Sequence, residues 1–334
     1  MRIVLVGAGR WAQTLYRVVK ADFPDVQVVA VCRERDERPA WLDESVEVTK
    51  AEYLTLRSDP IDAVLVATGP DVSVPIVSQL LRAGIPCYVE KPFTTASVPF
   101  GPEFDGRVPF LVGHQHVFGL DVEEAEAEVR FEQDAIDTIH VRSYGPGPDR
   151  SYDPIFDYGS HAMAVVFYVL GRQLQLVGVV DDMAVWRTAD GVRVFVEAGN
   201  ARPEKRFDVV FRFRSGEIFT YDGRNTEARP LQRSLRAFFD AVRAYRDDGS
   251  VPADRRFGIG ISEAVDHACQ AWLLRRRLEH VAALQAGWTP YGFGIVEETD
   301  SGQTWFTALS ITHLPSEVDG AEILDLEVQP FRMK

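Results

Sequence analysis

Asp157 and His161 stand four residues apart at the start of the apolar run 162–170, within the stretch PIFDYGSHAMAVVF at residues 154–167. The run predicts a buried helix, and residues four apart lie on the same face of a helix. One interpretation is structural: Asp157 caps the helix and His161 is a hydrogen-bonded, half-buried histidine. The other is catalytic, because a histidine titrates near neutral pH and can give or take a proton. The pair alone leaves both interpretations open.

Glu90 and Lys91 form a second polar pair, at the end of an apolar segment in the sequence YVEKPF at residues 88–93. If that segment is a strand of a parallel sheet, its carboxyl end lies where such sheets bind ligands. Lys91 would then project into the ligand crevice and could stabilise negative charge on a substrate oxygen. A surface ion pair, which contributes little to stability, is the alternative.

The elements that would position these residues alternate between strands and helices along residues 1–118. Apolar runs predict strands at residues 2–6, 26–31, 63–67, 86–89 and 110–112, and helical patterns predict helices at residues 11–21 and 74–83. Such alternation is typical of an α/β fold with a parallel, doubly wound sheet.

The loop after the first strand reads GAGRWA at residues 7–12, which is the G-x-G-x-x-A pattern of dinucleotide-binding loops. Its glycines allow a tight turn and let the backbone approach a pyrophosphate, which rests on the positive end of the following helix. We therefore expect Gly7, Gly9, Arg10 and Trp11 to contact a nicotinamide cofactor.

The end of the second strand bears on the choice between NADP and NAD. NAD-binding chains carry an acid about 20 residues after the glycines, whereas this chain reads CRER at residues 32–35. Arg33 can pair with the 2′-phosphate of NADP through charge-assisted hydrogen bonds. An ordinary charged turn, with Glu34 still available to a ribose, is the alternative. The pattern favours NADP, and NAD remains possible.

The carboxyl-terminal half is richer in strands. Partly alternating patterns predict strands within residues 136–145, 174–186, 192–199 and 206–221, and helical patterns cover residues 232–246 and 261–284. Three further strands are expected in the tail, at residues 294–298, 304–312 and 323–330. The patterns suit a sheet with one face covered.

Composition limits the partners and the compartment. The chain has 334 residues, of which 46% are hydrophobic and 26% charged, as in soluble proteins of about two domains. A net charge of −14 argues against nucleic acid, and no apolar run is long enough for a membrane span. The three cysteines, Cys32, Cys87 and Cys269, are far apart and predict neither disulfides nor a zinc site. We expect no metal and a cytoplasmic location.

Three motifs in this order, the glycine loop, Glu-Lys-Pro at residues 90–92 and Asp-x-x-x-His at residues 157–161, resemble the glucose–fructose oxidoreductase and inositol dehydrogenase family, Gfo/Idh/MocA. The segment DAVLVAT at residues 62–68 is also similar to the family's strand before its nicotinamide-side loop. The resemblance is clear from residue 1 to about residue 171 and weaker to about residue 285.

The resemblance implies a Rossmann domain followed by an α/β domain with an open, mostly antiparallel sheet, and an active site between the two. It assigns the catalytic roles to Lys91, Asp157 and His161. It also implies that Thr68, Gly69, Glu90 and Lys91 contribute to the cofactor site, although many relatives carry prolines and a histidine after the position of Thr68.

Three more residues are candidates for the substrate pocket. His114 and His116 lie in VGHQHVF at residues 112–118, on one face of a predicted extended strand at the expected domain junction, where a packing role is the alternative. Tyr158 stands beside Asp157 and is the third candidate.

We therefore expect a dinucleotide-binding domain at residues 1–118, a substrate and oligomerisation domain at residues 119–288 and a β-rich extension at residues 289–334. The expected activity is NADP-dependent hydride transfer to or from a sugar, polyol or related hydroxyl or ketone, in a homo-oligomer. The alternatives are a reductase of a C=N bond or another biosynthetic intermediate, and a cofactor-binding regulator without turnover.

Overall fold

The computed structural model describes most of the chain, in twelve segments. These are residues 1–32, 38–50, 60–95, 100–131, 136–146, 153–171, 173–180, 182–200, 203–223, 229–285, 294–300 and 303–309. The chain divides into two compact units, one formed by residues 1–124 and 225–267, the other by residues 125–224 and 268–334.

The first unit contains a six-stranded parallel sheet. Its strands are β1 (Arg2–Val6), β2 (Gln27–Cys32), β3 (Glu47–Thr49), β4 (Ala63–Val66), β5 (Cys87–Val89) and β6 (Phe110–Val112), in the order β3-β2-β1-β4-β5-β6. All neighbouring pairs are parallel. The expected doubly wound sheet is confirmed, and its order reverses between β1 and β4, the position at which such sheets bind dinucleotides.

Helices α1 (Arg10–Asp22) and α2 (Pro70–Arg82) follow β1 and β4 directly. Helix α1 buries Ala12, Leu15, Tyr16 and Val19, a spacing that places one apolar face on the sheet. Helix α2 begins four residues before the predicted position 74, because Pro70 occupies its first turn, where a missing N–H costs nothing.

A later helix, α5 (Pro230–Asp248), belongs to the same unit and completes its core. Phe238 and Phe239 on α5 are fully buried. Phe239 packs edge-on against Phe23, with ring centroids 5.1 Å apart, and Phe238 packs against Tyr88 at 5.9 Å.

The second unit is built on another six-stranded sheet. Its strands are β7 (Ile136–Tyr144), β8 (Gln175–Val180), β9 (Met183–Arg187), β10 (Arg193–Gly199), β11 (Arg206–Phe213) and β12 (Ile218–Asp222), in the order β12-β11-β7-β10-β9-β8. Only the β7–β10 pair is parallel in this sheet. The mostly antiparallel sheet expected of the second domain is therefore confirmed.

Helix α4 (Tyr158–Leu170) packs on this sheet, and the buried helix expected at residues 162–170 is confirmed. Two further helices are α3 (Leu120–Phe131), which the sequence patterns did not predict, and α6 (Gly260–Gln285). In the tail, β13 (Gly294–Asp300) and β14 (Gln303–Leu309) form an antiparallel hairpin. The third expected strand, at residues 323–330, lies outside the described residues.

Candidate cofactor and catalytic site

The glycine loop has the geometry that its sequence predicts. Gly7 follows β1 with a φ of 113°, and a Cβ at this position would lie 2.5 Å from the carbonyl oxygen of Ala67. Only glycine fits here, since the backbone is in the left-handed region and the next loop approaches it closely.

Gly9 precedes α1 in an extended conformation and makes no side-chain cap for the helix. A Cβ at Gly9 would meet no atom of the described residues within 4 Å, and the first turn of α1 carries no acidic residue. The positive end of the helix therefore faces open space that no carboxylate of that turn neutralises. These features fit the pyrophosphate of a dinucleotide.

Arg10 and Trp11 occupy the first turn of α1, with Arg10 exposed and Trp11 half-buried. Arg33, the residue expected to select NADP, lies outside the described residues, so its role stays a prediction.

The loop after β4 holds Thr68 and Gly69 at the start of α2. The side chain of Ser73, which is fully buried, donates a hydrogen bond to the carbonyl oxygen of Gly69 at 3.0 Å. The hydroxyl groups of Ser73 and Thr68 lie 2.9 Å apart. Because a hydroxyl has one proton, Thr68 donates to Ser73 when Ser73 donates to Gly69. Ser73 thus fixes this loop, a role that its position in the sequence did not reveal.

Lys91 follows β5 and is half-buried, beside the enclosed carboxyl of Glu90. Burial raises the pKa of Glu90 to about 7, against the opposing effect of the Lys91 ammonium. The Tyr88 hydroxyl donates a long hydrogen bond to Glu90, at 3.5 Å. The surface ion pair considered from the sequence is therefore not what forms, since Glu90 is only 6% exposed.

His114 and His116 do not lie on an extended strand, and that expectation is wrong. Strand β6 ends at Val112, and residues Gln115–Phe118 form a 3-10 turn preceded by His114. A 3-10 turn has about three residues per turn, so positions two apart do not share a face as they would in a strand. Both side chains are buried.

The His114 side chain is held by a residue far away in sequence. Its Nε2 atom lies 3.1 Å from the Ser262 hydroxyl on α6, and its buried Nδ1 atom has no hydrogen-bond partner among the described residues. Burial, followed by the charge of Lys91, lowers the pKa of His114 to about 3. The imidazole is therefore neutral near pH 7 and can act there only through hydrogen bonds.

Asp266 lies one helical turn beyond Ser262 and is also buried, with an Oδ2 atom that has no hydrogen-bond partner in the described part of the chain. Burial and the charge of Glu263 raise the pKa of Asp266 well above its usual range. The four-residue spacing of Ser262 and Asp266, which places them on one face of a helix, was the sequence signal that could have drawn attention to them.

In the second unit, Asp157 immediately precedes α4 but makes no capping hydrogen bond with its side chain. Its backbone is already helical, with φ −88° and ψ −53°, unlike the extended conformation of a usual N-cap. Asp153 instead caps the preceding 3-10 turn, Pro154–Phe156, where it accepts a hydrogen bond from the backbone N–H of Ile155 at 3.0 Å. The capping interpretation of Asp157 is therefore wrong.

His161 lies on the first turn of α4. Eleven of the 13 residues of this helix are buried, and the two that remain half-buried are Tyr158 and His161. The edge of Phe207 packs against the His161 ring, with centroids 6.1 Å apart. The helix therefore presents Tyr158 and His161 at the surface of an otherwise apolar element.

The start of α4 contacts both β7 and α6. The Ser143 hydroxyl on β7 donates a hydrogen bond to the carbonyl oxygen of Tyr158 at 2.7 Å. A Cβ at Gly159 would lie 3.4 Å from the Trp272 ring, which shows how closely α6 packs there. This packing holds Asp157, Tyr158 and His161 in one defined arrangement.

The predicted catalytic residues thus fall into two groups. Lys91 lies with Glu90 and His114 in the first unit, and Asp157, Tyr158 and His161 lie together in the second. Among the described residues, no cluster of three or more His, Cys, Asp or Glu could hold a metal ion. Nor is any helix of the described segments both long and apolar enough to cross a membrane.

The parallel sheet, its strand order and its glycine loop define a Rossmann-type dinucleotide-binding protein. Residues 1–99 match the model of the Gfo/Idh/MocA family, described as an oxidoreductase family with an NAD-binding Rossmann fold. The resemblance expected from the motifs is therefore confirmed over residues 1–99. No protein of curated function matches the sequence.

Solved structures share the fold over most of the chain. A myo-inositol 2-dehydrogenase from Lactobacillus plantarum superposes with a TM-score of 0.68 at 14% identity, covering 84% of this chain and 98% of that one. A scyllo-inositol dehydrogenase from Lactobacillus casei, with bound NAD(H) and scyllo-inositol, gives 0.66 at 16% identity, covering 82% and 96%. A dehydrogenase from Chromobacterium violaceum gives 0.66 at 17% identity, covering 85% and 98%. At these identities the likeness establishes the fold.

Proposed function

We propose that this protein is an NADP-dependent oxidoreductase that transfers a hydride between the nicotinamide and a sugar, polyol or related hydroxyl or ketone substrate. The observation that carries the proposal is the position of Lys91. It follows β5 at the carboxyl edge of the same parallel sheet that holds the glycine loop after β1. Ligands of such sheets bind at this edge.

The bound cofactor supplies or accepts the hydride, and the protein must manage the charge and the proton at the substrate oxygen. Lys91 stabilises negative charge that develops on that oxygen. His161 gives the oxygen a proton during reduction and takes it during oxidation. Asp157 orients the imidazole or binds a second hydroxyl of the substrate.

The remaining candidates have supporting roles in this proposal. Arg10, Trp11, Thr68 and Gly69 contact the cofactor. His114, His116 and Tyr158 contact the substrate, with His114 as a neutral hydrogen-bonding group.

The structures that share the fold favour the polyol class as the first substrates to test, since two of them are named as inositol dehydrogenases. The purified protein should be assayed with NADP⁺ or NADPH against inositols, sugars and their keto forms, following nicotinamide absorbance. Turnover of one of these compounds is the expected result. Tight cofactor binding without turnover of any would contradict the activity and favour the regulator.

We predict that NADPH binds more tightly than NADH by about 30- to 150-fold, because two charge-assisted hydrogen bonds from Arg33 to the 2′-phosphate would contribute about 2–3 kcal/mol. Fluorescence titration of both cofactors against the wild type and Arg33→Ala measures the difference. Arg33→Ala should weaken NADPH alone, and Arg107→Ala, at an exposed arginine paired with Asp105, is the matched control. Equal affinities of the wild type for both cofactors would rule out the preference.

The homo-oligomer is proposed to involve the tail, because a two-stranded hairpin such as β13–β14 is marginally stable alone. Deleting residues 289–334 should yield a monomer or an insoluble product, whereas the full chain should have a multiple of the monomer mass in light scattering. A soluble truncated protein with the same number of subunits as the full chain would contradict this role. A cytoplasmic location stays a prediction.

A further inference from the structure

The carboxyl of Glu90 is buried at the end of β5. Its backbone N–H donates to the carbonyl oxygen of Val66 at 2.8 Å, which fixes the residue against β4. The Tyr88 hydroxyl approaches Glu90 from one side. The backbone of Gly113 also lies close, since a Cβ there would lie 3.3 Å from the Glu90 carboxyl carbon and 2.7 Å from the Tyr88 oxygen. The Glu90 side chain is therefore largely removed from solvent, with 6% of its surface exposed.

Lys91 places a positive charge close to the buried carboxyl of Glu90. Its ammonium lowers both the pKa of Glu90 and the pKa of His114, so it acts on two buried groups at once. His114 stays neutral near pH 7, bonded to Ser262. Tyr88 stays protonated, since burial and the charge of Glu90 raise the pKa of its hydroxyl well above the usual range. Of Tyr88, Glu90 and His114, Glu90 is therefore the one whose pKa lies near neutral pH.

We propose that Glu90 is a positioning residue that acts through Lys91: its ionised carboxylate holds the ammonium and offsets its charge, and its protonation leaves the full positive charge for the substrate oxygen. This inference rests on the proposed role of Lys91. Ketone reduction should be faster when Glu90 is protonated, because the uncompensated ammonium then stabilises the developing negative charge better.

The ionisation of Glu90 can be measured without a substrate. In full-length protein labelled with ¹³C at the glutamate carboxyl carbon, NMR titration should show one resonance with a midpoint near pH 7, absent in Glu90→Gln. In Lys91→Met the midpoint should rise by about one unit or more, because an adjacent opposite charge is removed. Lys20→Met, at an exposed lysine paired with Asp43, should leave the midpoint unchanged.

A second variant tests the same inference if Glu90→Gln fails to fold. Tyr88→Phe removes the hydroxyl that lowers the pKa of Glu90 and should raise the same midpoint. The inference would be overturned if the Glu90 carboxyl titrated as an ordinary glutamate. It would also be overturned if the midpoint were the same in Lys91→Met as in the wild type.

Turnover then separates this inference from the proposed function. The pH profile of kcat for ketone reduction should lose one ionisation near pH 7 in Glu90→Gln and otherwise keep its shape. An unchanged profile in Glu90→Gln would overturn the inference while the activity stood. Normal turnover by Lys91→Met would instead overturn the proposed role of Lys91, even if the NMR coupling were present.

Discussion

His161→Ala should lower turnover by about 10²–10⁴-fold, the usual effect of removing a general acid–base, while cofactor affinity stays nearly unchanged. Affinity should survive because His161 belongs to the second unit and the glycine loop to the first. Stability should change little, since the ring is half-buried at the start of α4 and its described ring contact is with Phe207. Steady-state kinetics, cofactor titration and thermal unfolding of one preparation measure all three quantities.

His140→Ala is the matched control, since His140 is an exposed histidine of the same unit, stacked on Phe195. It should turn over normally. If His161→Ala lowered the melting temperature and the surviving enzyme turned over at the wild-type rate, the histidine would be structural.

Two further variants test the roles proposed for Lys91 and Asp157. Lys91→Ala should be about as damaging to turnover as His161→Ala, because it removes a positive charge from the developing oxyanion. Asp157→Asn should cost less if the carboxylate only orients the imidazole. A loss in Asp157→Asn that equalled the loss in Lys91→Ala would show that the carboxylate contacts the substrate directly.

The two glycines of the cofactor loop should respond to alanine in opposite ways. Gly7→Ala should lower stability, because a positive φ costs a side chain about 1–3 kcal/mol and the new Cβ would also strike Ala67. Gly9→Ala should keep the wild-type melting temperature, since the φ of −76° at this position suits alanine and the new Cβ meets no atom within 4 Å in the described part of the chain.

Cofactor affinity should nevertheless fall sharply in Gly9→Ala, because the new methyl group would fill the space above α1 that fits a pyrophosphate. Calorimetric titration with NADPH, beside thermal unfolding of both variants, tests the pair. Wild-type affinity of Gly9→Ala for NADPH would show that the dinucleotide does not bind at this loop.

Local sequence patterns predicted the fold well where one continuous pattern corresponds to a single helix or strand. Strand β1 matches its predicted bounds, and α1 is within one residue of them at each end. Short or joined elements were harder to predict. Strand β3 has only three residues, and the run at 174–186 is two strands, β8 and β9, because the turn between them interrupts an otherwise continuous β-rich pattern.

The histidines after β6 show why part of the site could not be predicted. Alternation in VGHQHVF suits a strand, but long-range contacts stabilise a turn. Arg233 donates a hydrogen bond to the carbonyl oxygen of Phe118 at 2.7 Å, and the Arg256 guanidinium lies 4.4 Å from the centre of the Phe118 ring. Both arginines are more than 100 positions away, as is Ser262, so no local window of sequence contains these contacts.

The course of the chain through the first unit bears on its biosynthesis. Helix α5, which places Phe238 and Phe239 against Phe23 and Tyr88, is translated about a hundred residues after the parallel sheet. Domains generally fold as units during synthesis, but this one is interrupted by residues 125–224. Phe23 and Tyr88 therefore acquire their partners on α5 only after residues 125–224 have been translated.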